Sequence, residues 1–206
     1  MPESKRSIVL VTPVWNDSAR LAAFGPSLAE ALRNAGMRVH WVVADDGSSA
    51  GEKDALKNLV ALFRETYPGV ELMAFDERSR KGGAIYRAWD ARSEADWLGF
   101  VDADGAVDAE SVVRLLQDAL GQGKSSGCVG VRRNSPDTPV KRPLGRLLAL
   151  RVFMLIVHRL TGLRIADTQC GAKVIPADGF RAVRGKLRET GYIFDVELLL
   201  ALQRHG

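Results

Sequence analysis

Apolar positions in the first half of the chain fall into short β-branched runs separated by stretches with helical spacing. Ser7–Pro13 (SIVLVTP) reads as a buried strand, and Arg38–Ala44 (RVHWVVA), Val70–Phe75 and Trp97–Val101 as further strands. Leu21–Ala35 reads as a helix, with Pro26 marking its effective start and Gly36 its stop. Glu52–Tyr67 places Leu56, Leu59, Val60 and Phe63 at helical spacing, and Pro68-Gly69 ends it. Gly82–Arg92 and Ala109–Leu120 complete the helices, the last with Val112, Val113, Leu115, Leu116 and Ala119 on its apolar side. Strands alternating with helices predict an α/β fold: a single Rossmann-like domain with a mainly parallel central sheet flanked by helices. Beyond Gly121 the pattern changes to one more strand (Cys128–Val131), a basic loop containing prolines, and an amphipathic helix over Leu147–Leu163.

In an open parallel sheet, ligands sit beyond the carboxyl ends of the strands. The polar residues that follow strands are therefore the candidates: Asn16, Asp17, Asp45, Asp46, Asp102 and Asp104. Asp102-Ala103-Asp104 follows an apolar run, so alternation puts both carboxylates on one side, able to share a hard cation such as Mg²⁺ or Mn²⁺ that a diphosphate would complete. The competing reading is a helix cap, but Asp108 already suits the cap of the next helix. An EF-hand loop fails, with Ala106, Val107 and Val113 where a ligand, the glycine and the bidentate Glu belong. Asp45-Asp46-Gly47-Ser48 reads equally well as an Asx-type turn or as a carboxylate that accepts from a base N–H. Lys81-Gly82-Gly83 opens a helix, where a cation and free N–H groups suit a phosphate.

Other chemistries drop out. Gly123-Lys124-Ser125 imitates the end of a P-loop but precedes a strand, and no GxGxxG follows the first strand. His40, His158 and His205 form no catalytic or metal-binding arrangement, and Cys128 and Cys170 form no CxxC, which points to a reducing, cytoplasmic setting.

Charge adds one feature. The 29 Lys plus Arg exceed the 25 Asp plus Glu by only four, but between Lys124 and Arg151 seven basic residues face Asp137 alone. That stretch should attract an anionic partner. The N-terminus shows no signal-peptide h-region, and Leu147–Leu163, broken by Arg151, His158 and Arg159, is too short to span a bilayer. With its basic start and broad apolar face it suits a lipid interface instead, and a core helix is the alternative.

Taken in order, VTPVWND (11–17), VVADDGSS (42–49), RKGGAIYRAWD (80–90), FVDADGAVDAESV (100–112), VGVRR (129–133), ADTQCGAKVI (166–175) and GYIFDVELL (191–199) resemble family 2 glycosyltransferases with the GT-A fold. DTQCG and FDVELL look most like the polyprenyl-phosphate branch, in particular the dolichyl-phosphate glucosyltransferases. Related mannosyltransferases tend to carry serine where this chain has Gln169-Cys170, so the resemblance leans towards glucose. It implies a catalytic domain over residues 1–206 that stops short of the C-terminal strand and membrane helices many relatives possess.

By that resemblance Asp45 contacts the nucleotide base, with Asp46 beside it, while Pro13 and Asp17 line the nucleotide pocket. Asp102 and Asp104 hold Mg²⁺ or Mn²⁺ against the diphosphate and Lys81 lies near the nucleotide-sugar. Arg132 and Arg133 face phosphate, and Asp167, Gln169 and Asp195 border the sugar and acceptor side. The implied reaction is inverting transfer from a nucleotide-diphosphate sugar, UDP-glucose by preference, to a polyprenyl phosphate at a membrane surface, on the inner face of the membrane. No nucleic acid partner is implied. A hydroxyl acceptor would need Asp195 as proton acceptor. A non-catalytic nucleotide-sugar-binding module and a nucleotidyltransferase are the alternatives from other classes. The latter normally carries a glycine-rich basic loop after its first strand, which VTPVWND lacks.

Overall fold

A computed structural model describes residues 7–122, 128–129 and 170–205. Its strands are β1 (Ile8–Val14), β2 (Val39–Asp46), β3 (Val70–Phe75), β4 (Trp97–Val101), β5 (Cys128–Val129) and β6 (Ala172–Pro176). Its helices are α1 (Ser18–Ala35), α2 (Ala50–Thr66), α3 (Arg80–Asp90), α4 (Ala109–Gln122), α5 (Ala177–Val183) and α6 (Phe194–His205), with a 3-10 turn at Arg184–Lys186.

The strands form one sheet in the order β3-β2-β1-β4-β6-β5. β1 to β4 run parallel, and β6 is antiparallel to both of its neighbours, β4 and β5. The parallel α/β expectation therefore holds with one reversed strand. Two apolar layers cover the sheet. On one face Ile8, Leu10, Trp41, Val43, Trp97 and Val101 pack against α1, α2 and α4. On the other, Val9, Val11, Val42, Leu98 and Phe100 pack against α3, α5 and α6. The alternation of odd and even positions along β1 divides the two cores, because successive side chains point to opposite faces. Trp41 stacks on Phe63 of α2 at 5.4 Å between ring centroids, while its indole N–H donates to Thr12 Oγ1 at 2.9 Å.

α1 departs from expectation. It begins at Ser18 and runs through Pro26 rather than starting there. Pro26 lies on the solvent side and so does Ala22, whose carbonyl loses its donor, so water can satisfy it. α4 behaves as expected: Asp108 caps it, accepting from the backbone and hydroxyl of Ser111 at 2.8 and 2.7 Å.

Candidate active site

The chain order reverses at β1: β2 and β3 lie to one side of it, β4 to the other. Helices diverge from such a switch point and leave a crevice beyond the carboxyl ends of the strands. A cavity of about 260 Å³ opens there, lined by Pro13, Val14, Trp15, Asp17, Arg20, Asp46, Arg78, Arg80, Lys81 and Asp102 to Asp104. Thus Pro13, Asp17, Asp46, Lys81, Asp102 and Asp104, picked out in the sequence, meet in one place.

Asp102 and Asp104 arrive there by a turn and not by strand alternation, since β4 ends at Val101. The N–H of Asp102 donates to the carbonyl of Gly171, just before β6, at 2.8 Å. Asp104 Oδ1 accepts from the Ala106 N–H at 3.0 Å across a turn in which Gly105 has φ of 66°. Lys81, in the first turn of α3, places Nζ 2.5 Å from Asp102 Oδ1. The expected free N–H groups at this helix start are not all free, because Gly82 donates to the Thr190 carbonyl at 2.9 Å. A Cβ at Gly82 would press on Phe194 and one at Gly83 on Ser79, so close packing is what these glycines serve.

The two aspartates of β2 have separate fates. Asp46 lines the cavity and binds the residue before α3, its Oδ1 accepting from the N–H and hydroxyl of Ser79 at 2.6 and 2.8 Å. Asp45 is fully buried behind that wall. Its Oδ1 accepts from the Ser48 N–H at 3.0 Å, and Oδ2 has no hydrogen-bond partner among the described residues. Ser48 Oγ in turn accepts from the Asn16 N–H at 2.9 Å, while Asn16 Oδ1 accepts from the Ser49 N–H. The loops after β1 and β2 are thereby tied together.

Four lining residues, Trp15, Arg20, Arg78 and Arg80, were not among the site residues expected from the sequence. Arg78 lays its guanidinium over the half-exposed indole of Trp15, 3.3 Å from the ring centroid. Arg80 sits in the left-handed region at φ of 66°, a conformation that costs a non-glycine residue on the order of 1 kcal/mol, and the Asp46 bonds to Ser79 brace it. Arg20 pairs with Asp17 at 3.2 Å. Arg20 lies far in sequence from Arg78 and Arg80, so only the fold brings it to them.

Asp195 lies outside the cavity lining. It is the second residue of α6, is 4% exposed, and pairs through Oδ2 with Nζ of Lys173 at 3.0 Å; Oδ1 is buried without a partner among the described residues. Lys173, on β6, also donates to the Cys170 carbonyl at 2.8 Å. Burial pushes the Lys173 ammonium below its ordinary pKa, and the Asp195 charge draws it back up. Asp167, Gln169, Arg132, Arg133 and the helix expected over Leu147–Leu163 lie outside the described residues.

The donor set fits a divalent cation in one respect that geometry reveals. Asp102 already holds a cation, the Lys81 ammonium, at contact distance, and a second carboxylate, Asp104, lines the same cavity. One or two protein carboxylates completed by phosphate oxygens are the usual surroundings of Mg²⁺ and closely related ions.

The family described as Glycosyl transferase family 2 matches residues 9–189. The dolichyl-phosphate beta-glucosyltransferase of Saccharomyces cerevisiae is 28% identical over 205 residues, 93% of this chain and 61% of that protein. The chain thus spans about 61% of the length of this relative. Among solved structures, glucosyl-3-phosphoglycerate synthase from Mycobacterium tuberculosis with UDP superposes with a TM-score of 0.64 at 16% identity, over 98% of this chain and 69% of that one. The same enzyme with Mn²⁺, UDP and glucosyl-3-phosphoglycerate gives 0.59 at 17% identity, over 98% and 68%. At such identity the likeness bears on the fold, which is the GT-A arrangement.

Proposed function

The chain belongs to glycosyl transferase family 2, and on that premise we propose that it is a metal-dependent, inverting hexosyltransferase acting from a nucleotide-diphosphate sugar, UDP-glucose by preference, onto a polyprenyl phosphate. One observation carries the reading: four carboxylates, Asp17, Asp46, Asp102 and Asp104, and four cations, Arg20, Arg78, Arg80 and Lys81, line one cavity at the switch point of the sheet. A dianionic diphosphate bridged to a divalent cation is the ligand whose charges match that lining.

Mg²⁺ or Mn²⁺ held by Asp102 and Asp104 would neutralise the charge developing on the leaving diphosphate. Lys81, Arg78 and Arg80 bind and orient that diphosphate from the α3 side. Trp15 supplies a flat apolar surface beside Pro13 and Asp17 for the nucleoside. Asp45 remains our candidate for the base: its buried, unpartnered Oδ2 gains a hydrogen bond when a base N–H reaches it. The acceptor oxygen attacks the anomeric carbon from the face opposite the diphosphate, and the breaking C–O bond leaves its electron pair on the diphosphate oxygen.

Two things support a phosphate acceptor. The yeast relative is named for dolichyl phosphate. Within the chain, Asp195 is committed to a buried lysine, so taking up a proton there would break an ion pair held away from water. A phosphate oxygen is already anionic and needs no proton acceptor. Asp195 is accordingly proposed to shape the sugar and acceptor side, with Asp167, Gln169, Arg132 and Arg133 as its partners in that task. We propose that the whole of residues 1–206 serves as the catalytic domain and works at the cytoplasmic face of a membrane. No described helix is long and apolar enough to cross a membrane.

The test is Asp104→Asn, which keeps volume and removes one anionic ligand. Calorimetry with and without Mn²⁺ is expected to show metal-dependent UDP binding in the wild-type chain and its loss in the variant, together with loss of glucose transfer to polyprenyl phosphate. Unchanged, metal-stimulated binding in the variant would reject the metal assignment.

A further inference from the structure

The two oxygens of Asp102 have different neighbours. Oδ2 faces the backbone of Gly171 so closely that a Cβ on that glycine would stand 2.8 Å from it. Oδ1 is the oxygen that already holds a cation, the Lys81 ammonium at 2.5 Å. An ammonium and a divalent cation at contact distance from one oxygen repel each other, so the two compete for it. Lys81 also has somewhere to go. It is about one-third exposed, sits on a flexible stem beside the rings of Phe100 and Phe194 at 5.1 and 5.8 Å, and lines the cavity itself. A phosphate oxygen entering that cavity offers the ammonium a second counter-charge within reach of a rotamer change.

From this we infer that Lys81 is the resident counter-ion of Asp102, and that the donor's diphosphate admits the metal by drawing Lys81 off the carboxylate. Lys81 is thus a positioning residue that couples the two ligands. Nucleotide raises metal affinity, and by reciprocity metal raises nucleotide affinity by the same factor. The inference rests on the metal reading above and adds an order to it: little metal binds before the nucleotide. A plain phosphate-binding lysine would behave differently, since its loss would weaken nucleotide binding and leave metal affinity in the absence of nucleotide untouched.

The opposite signs make the test. Mn²⁺ binding to the whole chain is measured by electron paramagnetic resonance of free Mn²⁺, without nucleotide and at saturating UDP, for the wild type, Lys81→Met, Lys81→Arg and the double variant Lys81→Met with Asp102→Asn. Lys81→Met is expected to bind Mn²⁺ about tenfold more tightly without UDP, within the usual range of coupling between two ligands. The enhancement by UDP should shrink, and UDP itself should bind more weakly. Lys81→Arg keeps the charge and should stay weak in Mn²⁺ binding, while Asp102→Asn should erase the gain. Circular dichroism confirms that each variant is folded. No gain in Lys81→Met, an equal gain in Lys81→Arg, or a gain that survives Asp102→Asn overturns the inference. Failure of every form to bind Mn²⁺ even with UDP overturns the metal reading beneath it.

Discussion

Gly171 holds Asp102 at both ends: its carbonyl accepts the Asp102 N–H at 2.8 Å, and its missing Cβ leaves the space that Asp102 Oδ2 occupies. β6 runs antiparallel to β4, with Ala172 opposite Val101, so the residue before β6 meets the residue after β4. The glycine of CGAK thus shapes the carboxylate of DAD across the sheet.

Gly171→Ala therefore pushes on a carboxylate that Lys81 holds from the other side. The loss of stability should stay within about 1.5 kcal/mol, since a side-chain oxygen yields more easily than backbone. Mn²⁺-dependent UDP binding should weaken by about tenfold, roughly 1.4 kcal/mol, because displacing Oδ2 turns the whole carboxylate and with it Oδ1, the oxygen that holds the cation. Calorimetry and thermal unfolding on the same variant separate the two effects, and a stability loss with unaltered UDP binding would contradict the account.

Gly82→Ala tests the packing role of the second motif glycine. Its Cβ would lie 2.5 Å from Cβ of Phe194, in the layer between α3 and α6. Overpacking of this kind costs about 1–3 kcal/mol, readable by urea unfolding. Gly121→Ala on α4 is the control: nothing among the described residues lies within 4 Å of that site, so the same chemical change should be neutral or stabilise by up to about 1 kcal/mol.

The Lys173–Asp195 pair lends itself to a double-mutant cycle. Lys173→Met strands a carboxylate that is 4% exposed, at a cost of about 3–5 kcal/mol. Combining it with Asp195→Leu should lose less than the sum of the two single changes, because the second substitution removes the stranded charge. Additive losses in urea unfolding would mean that the two side chains are energetically independent.

At the start of α4, hydrogen bonds from Ser111 and the nearby Arg114 outweigh the opposing effect of burial and hold the Asp108 carboxyl below its usual range. A lowered folded pKa means that this stabilisation is present above the unfolded value of 3.8 and is lost as pH falls through the folded one. Asp108→Ala should cost about 1 kcal/mol near neutrality and progressively less in strong acid. A difference between variant and wild type that does not shrink with acidification would assign the effect to something other than the charged cap.

For the basic segment, charge reversal at Lys141, Arg142 and Arg146 should abolish flotation with anionic liposomes at low salt. Each basic residue near such a surface is worth on the order of 1 kcal/mol, and salt should weaken the wild-type association. Intact flotation of the triple variant would favour a soluble acceptor.

Local pattern was enough to place β1, β2, β3 and β4, the helices between them and the Asp108 cap, because each depends on periodicity or on a partner a few residues away. The same pattern marked Asp102, Asp104, Asp46 and Lys81 as residues at strand and helix ends, which is where a parallel sheet puts its crevice. It did not reveal the reversed strand β6, since alternation of side chains carries no direction. Nor did it reveal that Lys173, a charged residue in the middle of that strand, is buried against Asp195, 22 residues further on. Pro26 looked like a helix boundary because its cost depends on whether its ring and the freed carbonyl face water, and only packing settles that. Arg20, Arg78 and Arg80 become a charged wall beside Trp15, and Asp45 is withdrawn from the cavity while Asp46 is not, only when the sheet brings the ends of β1, β2, β3 and β4 together. Long-range burial and charge depend on which strands are neighbours, and the tertiary fold alone decides that.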